Sequence, residues 1–442
     1  MADIAPFRGI LYDTQRVDAS KVLAPPYDVI DPEQRAALAA ADPHNVVRLI
    51  LPEADSPDGD RYQAAARTLD EWLGDGTLVR DGSRAVYRYH QIFRAAELGD
   101  RTVTRKGVIA GVRLEPFSAG VIRPHERTLA GPKQDRLALM KATHAYFSQI
   151  FTLYQDAAGE VERLFRKVDD RRPDIEGTTG DGVLHRLWRV VDAELVGRLR
   201  HVFAPKKLYI ADGHHRYETM LALREHLAGG RDLSQYSSAQ YGSMFLVSMD
   251  DPGLVVLPTH RIVHGLPDFA PAQLLERARA YFQVERLPGA ARDAARIRDA
   301  IAHTPGHQPS FAAVFPGDAD AWQLTLDPHV NPASVGLGGH AAVLRLDVTL
   351  LHGLVLDRIL GISAAAQEAQ TNLRYLKDTA ATLAEIAAGR GQAAFLVNPG
   401  RVEQVKQVAD AGEVMPQKST FFYPKLASGI VMAKVDPEED LL

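Results

Sequence analysis

Among its 442 residues the chain has no cysteine. That absence removes disulfides, thiolate nucleophiles, iron–sulfur clusters and cysteine-ligated zinc. No apolar run approaches the length of a membrane helix, and the opening MADIAPFRGILYD lacks the basic flank and apolar segment of a secretory signal. A cytoplasmic protein with no membrane partner is therefore expected. Positive charge is not in excess either: the formal net charge is −5, which argues against a nucleic-acid partner, whose binding domain is usually basic. The phosphate-loop pattern GxxxxGKS/T, the dinucleotide fingerprint and the zinc-protease pattern HExxH are all missing, so neither hydride transfer nor zinc proteolysis has support. No internal repeat or low-complexity segment is found.

What is present is the composition of a soluble globular protein, 46% hydrophobic and 24% charged. The length calls for two or three domains. AVYRYHQIF (85–93) alternates as a strand, and RTVTRKGVIAGVRLEPF continues into another after a turn at Leu98-Gly99-Asp100, which predicts a hairpin. Gly59 to Trp72 reads as a helix with Tyr62, Ala65, Leu69 and Trp72 on one face. Pro124 and Pro132 mark 123–134 as a loop, with a helix from Asp135 and a strand at SQIFTLY. Residues 157–204 read as helical or connecting. Asp250-Asp251-Pro252-Gly253 separates two apolar runs, a hairpin signal. Beyond it, helices are placed at Ala272 to Tyr281 and Ala290 to Ala302, strands at FAAVF, WQLTL and AAFLV, and further helices at LRLDVTLLHGLVLDRILGI and RVEQVKQVAD. The fold class is thus α/β (α+β). Three regions are expected: an N-terminal α/β region over 1–118, a central phosphate-binding module with a helical insertion over 119–265, and a C-terminal α/β domain over 266–442 with a site-capping loop near 415–425.

The most informative ten residues are ADGHHRYETM, Ala211 to Met220. They follow the apolar strand KLYI and open a helical stretch, so Asp212, Gly213, His214, His215 and Arg216 fall at a strand-to-helix junction. Glycine lets a ligand approach the backbone, the first helical N–H groups lack intrahelical acceptors, and the helix dipole adds positive charge where Arg216 adds more. Asp-Gly is also a common turn, and paired histidines also occur on solvated helix starts.

Basic charge gathers in three segments of this acidic chain. From Val121 to His144 five basic residues stand against two acidic, from Lys206 to Arg224 four against two, and from Met415 to Lys425 two against none. An anionic ligand requires such clustering. Four further segments carry chemistry. APPYDVI offers Tyr27 and Asp28 on a Pro-stiffened turn; RPHERTLAGPKQDR packs His125, Glu126, Lys133, Asp135 and Arg136 around two prolines; LPTHRIV holds Thr259, His260 and Arg261 between apolar residues; and MPQKSTFFYPK joins Lys418, Ser419 and Thr420 to an aromatic run. These residue types suit phosphoryl transfer, which needs cations on the transferring oxygens, a carboxylate to orient or deprotonate the hydroxyl, and often a metal. Arg216, Lys133, Arg136 and Lys418 are candidate phosphate clamps, with Gly213, Ser419 and Thr420 beside them. Glu126 is the candidate base, Asp212 the candidate Mg²⁺ ligand, and His214 and His215 candidate donors to phosphate oxygen. Tyr27, Asp28, His125, His260 and Arg261 are candidate substrate contacts. His125, Glu126, His214, His215, Glu218 and His260 also contain enough ligands for a metal-dependent hydrolase, although the interleaved cations oppose it.

Taken in order, APPYDVI, RPHERT with PKQDR, ADGHHRYET, LPTHRIV and MPQKSTFFYPK resemble a widespread bacterial and archaeal family, domain of unknown function 1015, over essentially the whole chain. That family is similar to the ParB/sulfiredoxin-like superfamily, in which a motif at a helix N-terminus binds nucleotide phosphates. The resemblance implies a central ParB/sulfiredoxin-like module and, by likeness to free-serine kinases, an Asp-Gly-His-x-Arg loop that cradles the donor phosphates. Asp212, Gly213, His214 and Arg216 match that loop, with His215 at its variable position; Glu126 is a positional assignment for the upstream base. Sulfiredoxin chemistry needs a cysteine that this chain lacks, and no DNA-binding helix-turn-helix is found. The expected function is transfer of phosphate from ATP, ADP, CTP or pyrophosphate, with Mg²⁺, to a small hydroxyl substrate, free L-serine first. A non-catalytic nucleotide-binding switch and a metal-dependent hydrolase are the alternatives. Donor, acceptor and oligomeric state are not written in the sequence.

Overall fold

The computed structural model describes residues 2–56, 59–95, 98–99, 101–126 and 130–442, and of 130–132 the backbone alone. The chain divides into two units. Unit 1 comprises Met1–Pro124, Thr128–Val255 and Pro424–Leu442; unit 2 comprises His125–Arg127 and Val256–Tyr423. The class is α/β.

Unit 1 is built on a nine-stranded mixed sheet. Its strands are β1 (Ile4–Ala5), β2 (Val86–Phe93), β3 (Val103–Arg113), β4 (Ile122–Arg123), β5 (Ile150–Tyr154), β6 (Ile175–Thr178), β7 (Leu184–Val190), β8 (Leu208–Asp212) and β9 (Tyr241–Ser248). Across the sheet the order is β4, β8, β5, β9, β3, β2, β7, β6, with β1 also on β3. Strands from before residue 118 and after residue 119 therefore share one sheet. The expected hairpin forms, since β2 and β3 pair antiparallel from Tyr87↔Ile109 to Phe93↔Val103. Of its expected turn, Asp100 lies outside the described residues.

Three helices matter for the site: α1 (Arg61–Gly74), α2 (Ala130–Thr143) and α3 (His214–Ala228). Helix α1 is capped by Asp60, whose carboxylate accepts the N–H of Tyr62 at 2.8 Å. It buries Ala64, Ala65, Leu69 and Trp72 in a core shared with Ile10, Val47, Leu139 and Phe147. Helix α2 packs against both α1 and α3. A second, four-stranded sheet in this unit includes Gly9–Tyr12 and, from the chain's last segment, Met432–Lys434.

Three expectations are corrected here. Helix α2 begins at Ala130 rather than Asp135; Pro132 falls in its first turn, where the missing N–H would have no intrahelical acceptor anyway. Lys133 thus stands on a helix and not on a loop, while Asp135 and Arg136 are helical as expected. Residues 157–204 contain the antiparallel pair β6 and β7, paired from Ile175↔Leu187 to Thr178↔Leu184, between two helices. The apolar run before Asp250 does not form a hairpin with the run after it. Strand β9, buried at all eight positions, pairs with β3 and β5. Its partners come from far along the chain, which a local turn signal cannot reveal.

Unit 2 holds a six-stranded sheet. Its strands are β10 (His260–Val263), β11 (Phe282–Leu287), β12 (Ser310–Val314), β13 (Ala321–Leu326), β14 (Leu373–Leu376) and β15 (Ala393–Val397), in the order β11, β13, β12, β15, β10, β14. Helices Pro271–Ala278, Ala294–Ala302 and Val402–Asp410 fall where the sequence places them, with shorter bounds. The run expected as one helix from Leu344 divides into Asp347–Leu350 and a wider π-type turn, Leu351–Ile359. Among the described residues no helix is long and apolar enough to cross a membrane.

Candidate functional site

In unit 1 the junction predicted from ADGHHR forms. Between Ile210 and Asp212 the pairing of β8 with β5 slips, so that Ile210 faces Thr152 and Asp212 faces Phe151. The extra residue is Ala211, and the resulting bulge re-aims the Asp212 side chain at the strand end. Gly213 follows with φ +93°, and α3 starts at His214 without a side-chain cap. A Cβ on Gly213 would lie 3.0 Å from Arg216 Nη2 and 3.1 Å from its Cζ. The arginine thus folds back beneath the one residue type that leaves room for it.

Arg216 is 4% exposed. Its Nη1 donates to the Gln149 carbonyl at 2.6 Å and to Ser148 Oγ at 3.0 Å, and its Nη2 donates to Asp212 Oδ2 at 2.8 Å. The other oxygen, Asp212 Oδ1, pairs with Lys425 Nζ. Burial pushes the Asp212 carboxyl up, but Lys425 and then Arg216 outweigh it and hold it well below the usual carboxylate range. One carboxylate thus carries two cations at the start of α3.

Close by, Arg136 on α2 donates through Nε to Asp135 Oδ2 at 2.7 Å and through Nη1 to the Ile50 carbonyl at 2.5 Å. Its guanidinium carbon lies 4.3 Å from the centre of the Tyr27 ring. Asp135 is shared with Arg61 at 2.6 Å, so again two cations share one carboxylate. Burial raises the Tyr27 phenol, and Arg216 is the largest opposing influence. Tyr27, Arg136, Arg216, Ser148 and Ser428 line a cavity of about 30 Å³. That is room for one or two waters and not for a phosphate. Lys133 pairs with Glu218 of α3, which places both between the two helices. Asp28 is exposed on the same short turn as Tyr27. His214 is buried and His215 half-buried at the first two positions of α3.

The remaining sequence candidates belong to unit 2. His125 is buried; its Nε2 bonds Thr420 Oγ1 at 2.9 Å and its carbonyl accepts the Met415 N–H at 2.8 Å. Glu126 accepts the Lys418 N–H at 3.4 Å, and Lys418 itself has φ +56°. Ser419 Oγ donates to the Pro416 carbonyl at 2.5 Å. His260 is buried between Thr379 Oγ1, 3.0 Å from its Nε2, and the Val397 N–H, which donates to its Nδ1 at 3.2 Å. Burial, with Arg261 adding, lowers its pKa to about 3, so the ring is neutral. Arg261 is 0% exposed. It donates to His352 Nε2 at 3.1 Å, to the Lys418 carbonyl at 3.1 Å and to the Thr259 carbonyl, with the Tyr375 ring 5.4 Å away. Burial brings its pKa down to about 10, still charged at neutral pH.

A resident metal does not fit the described residues. Among them no three His, Asp or Glu side chains converge, and both oxygens of Asp212 are held by cations. The six ligand types offered for a hydrolase fall as His214, His215 and Glu218 in unit 1 and His125, Glu126 and His260 in unit 2.

Residues 4–349 match the family described as "Protein of unknown function (DUF1015)". The chain belongs to this family. No protein in the curated set matches it. Among solved structures, a free serine kinase in complex with AMP is similar at 15% identity and TM-score 0.36, covering 76% of this chain and 93% of that one. A conserved hypothetical protein from Pyrococcus furiosus is similar at 15% identity and TM-score 0.35, covering 76% and 97%. SbnI with a C-terminal truncation, from Staphylococcus aureus, is similar at 9% identity and TM-score 0.33, covering 72% and 84%. Scores this low do not establish a shared fold.

The family match stops before the residue that sequence reasoning undervalued. Lys425 stands in the sequence only as a second lysine after an aromatic run, yet it forms the ion pair on Asp212. Its separation of 213 residues from that partner leaves no local signal. The basic, acid-free segment from Met415 to Lys425 was the one sign available.

Proposed function

We propose that the Asp212–Arg216 junction of unit 1 binds the phosphates of a nucleotide or pyrophosphate, and that the protein transfers phosphate from that donor to a small hydroxyl substrate, free L-serine being the first acceptor to test. In this reading unit 1 carries the ParB/sulfiredoxin-like module. The observation that supports it is the pair of cations on one buried carboxylate where an uncapped helix begins. A helix start and two cations side by side favour an anion, and phosphoryl transfer depends above all on neutralising and positioning phosphate oxygens. Asp212 then has a role other than metal ligand or base. With both oxygens engaged and its pKa depressed, it orients Arg216 and Lys425 toward the donor. Mg²⁺ enters with the donor rather than as a resident ion.

One observation favours the second reading, a nucleotide-binding switch without transfer: both oxygens of Asp212, the candidate Mg²⁺ ligand for transfer, are taken by cations. One experiment separates the two. The protein is incubated with Mg²⁺, ATP, ADP, CTP or pyrophosphate, and a pool of amino acids and sugars, and new phosphomonoesters are sought by phosphorus NMR. A serine phosphomonoester that is lost in Arg216→Gln supports transfer; nucleotide binding with no new ester supports the switch; no binding of any donor overturns both. Glu126→Gln in the same assay tests the hydroxyl-base role that the family resemblance implies.

A further inference from the structure

Lys425 stands on a segment whose backbone is gripped by buried polar side chains of the central sheet. Gln91 on β2 donates through Nε2 to the Lys425 carbonyl at 3.0 Å. Arg105 on β3 donates through Nη2 to the Pro424 carbonyl at 2.6 Å and through Nε to Gln91 Oε1 at 3.1 Å, with its guanidinium carbon 4.6 Å from the centre of the Phe151 ring. Two residues before Gln91 on β2, Tyr89 buries its hydroxyl. That hydroxyl lies 2.6 Å from His185 Nδ1, His185 Nε2 lies 2.9 Å from Thr179 Oγ1, and Thr179 Oγ1 donates to Asp181 at 2.6 Å.

Donors and acceptors in this row fit in only one direction. Tyr89 O–H donates to Nδ1, Nε2–H to Thr179, and Thr179 O–H to the carboxylate. The arrangement fixes one tautomer of His185. Further along, the Ser428 N–H donates to the Ala24 carbonyl at 2.8 Å and the Gly429 N–H to the Phe147 carbonyl at 3.0 Å. Such a density of buried polar contacts is more than an apolar strap would need to stay folded, and its cost in desolvation must be offset by every group being satisfied.

We infer that Gln91 and Arg105 are positioning residues, which hold the backbone of Pro424–Lys425 so that the Lys425 ammonium is fixed on Asp212 and presented to the donor phosphate. This rests on the junction being the phosphate site. A lysine on a free segment would lose side-chain and backbone entropy each time it engaged the ligand, whereas a gripped one has already lost it on folding. Gln91 and Arg105 touch no ligand themselves; they act through the position of Lys425.

The test is a double-mutant cycle on the full chain, with inorganic pyrophosphate as the probe in isothermal titration calorimetry. Gln91→Met removes the donor to the Lys425 carbonyl without adding a charge, and Arg105→Lys keeps the charge while removing the Nη2 donor to the Pro424 carbonyl. Each is expected to weaken pyrophosphate binding about three- to tenfold, the equivalent of one net hydrogen bond. In a Lys425→Met background each is expected to add nothing, because nothing remains to be positioned. If both variants bind as the wild type does, or if their losses add in full to that of Lys425→Met, the positioning role is overturned. Should Gln91→Met fail to fold, Arg105→Lys decides alone. Failure of the phosphate-site reading looks different: wild type does not bind pyrophosphate, or Lys425→Met binds it unchanged.

Discussion

Replacing Gly213 by alanine perturbs the junction through two separate costs. The backbone there has φ +93°, a left-handed conformation that costs an L-residue with a Cβ about 1–2 kcal/mol. The new methyl would also sit 3.0, 3.1 and 3.2 Å from Nη2, Cζ and Nε of Arg216. That guanidinium cannot swing aside freely, because Ser148, Gln149 and Asp212 hold it. Losing one of those charged hydrogen bonds adds about 1.5–3 kcal/mol. The sum is about 3–5 kcal/mol of lost stability, read as a lower urea midpoint at unchanged slope. Gly213→Asn separates the two costs, since asparagine tolerates the left-handed region but carries the same Cβ; if crowding dominates, it is nearly as destabilised as alanine. Displacement of Arg216 is also expected to weaken pyrophosphate binding by about tenfold or more, measured by calorimetry. A Gly213→Ala protein within about 0.5 kcal/mol of wild type and with unchanged pyrophosphate affinity would refute the reasoning.

Acidification provides a second prediction. Burial lowers His185 to a pKa of about 4 and both His260 and His352 to about 3, so each is neutral in the fold and protonates on unfolding. Their contribution to stability is whole above the unfolded value of about 6.5 and falls as pH drops toward the folded values, by about 2 kcal/mol each at pH 5. Urea unfolding at pH 7.5 and 5.0 checks this, and His185→Gln should show a smaller loss than wild type. Asp212 acts further into acid: its depressed pKa contributes stability that is present above about pH 4 and lost as pH falls below it, and Lys425→Met should shrink that acid-side loss. In unit 2, Arg261→Met leaves the Thr259 and Lys418 carbonyls without their donor and is expected to destabilise the protein by about 2 kcal/mol, checked by thermal unfolding.

The parts of the fold that were legible in the sequence are those fixed by short-range chemistry. The β8–Gly213–α3 junction could be read because an apolar strand, a glycine and a helical run lie next to one another. The β2–β3 hairpin could be read because alternation and a turn are local signals. Strand β9 misled because a strand buried on both faces shows no alternation, and the turn at Asp250–Gly253 says nothing about which strands flank it in space. The pair β6 and β7 was missed because IEGT and LHRLWRV interleave polar residues with few apolar ones. Of the site, the residue types were readable from Arg216, Arg136 and Tyr27. The grouping was not: Lys425 and Asp212 meet across 213 residues, and no pattern within either segment encodes that meeting.

The chain crosses from unit 1 to unit 2 after Val255 and returns only at Pro424. In order of synthesis, every residue of Val256–Tyr423 leaves the ribosome before the segment that puts Lys425 on Asp212. Until then the nascent unit 1 has Asp212 opposite Arg216 alone and lacks Met432–Lys434, a strand of its smaller sheet. A fragment cut at the limit of the family match, residues 4–349, has the same gap. Completion of the Asp212 ion pairs thus waits until translation has passed Lys425, and any fragment meant to capture this junction has to carry Pro424–Leu442 as well as the earlier segments of unit 1.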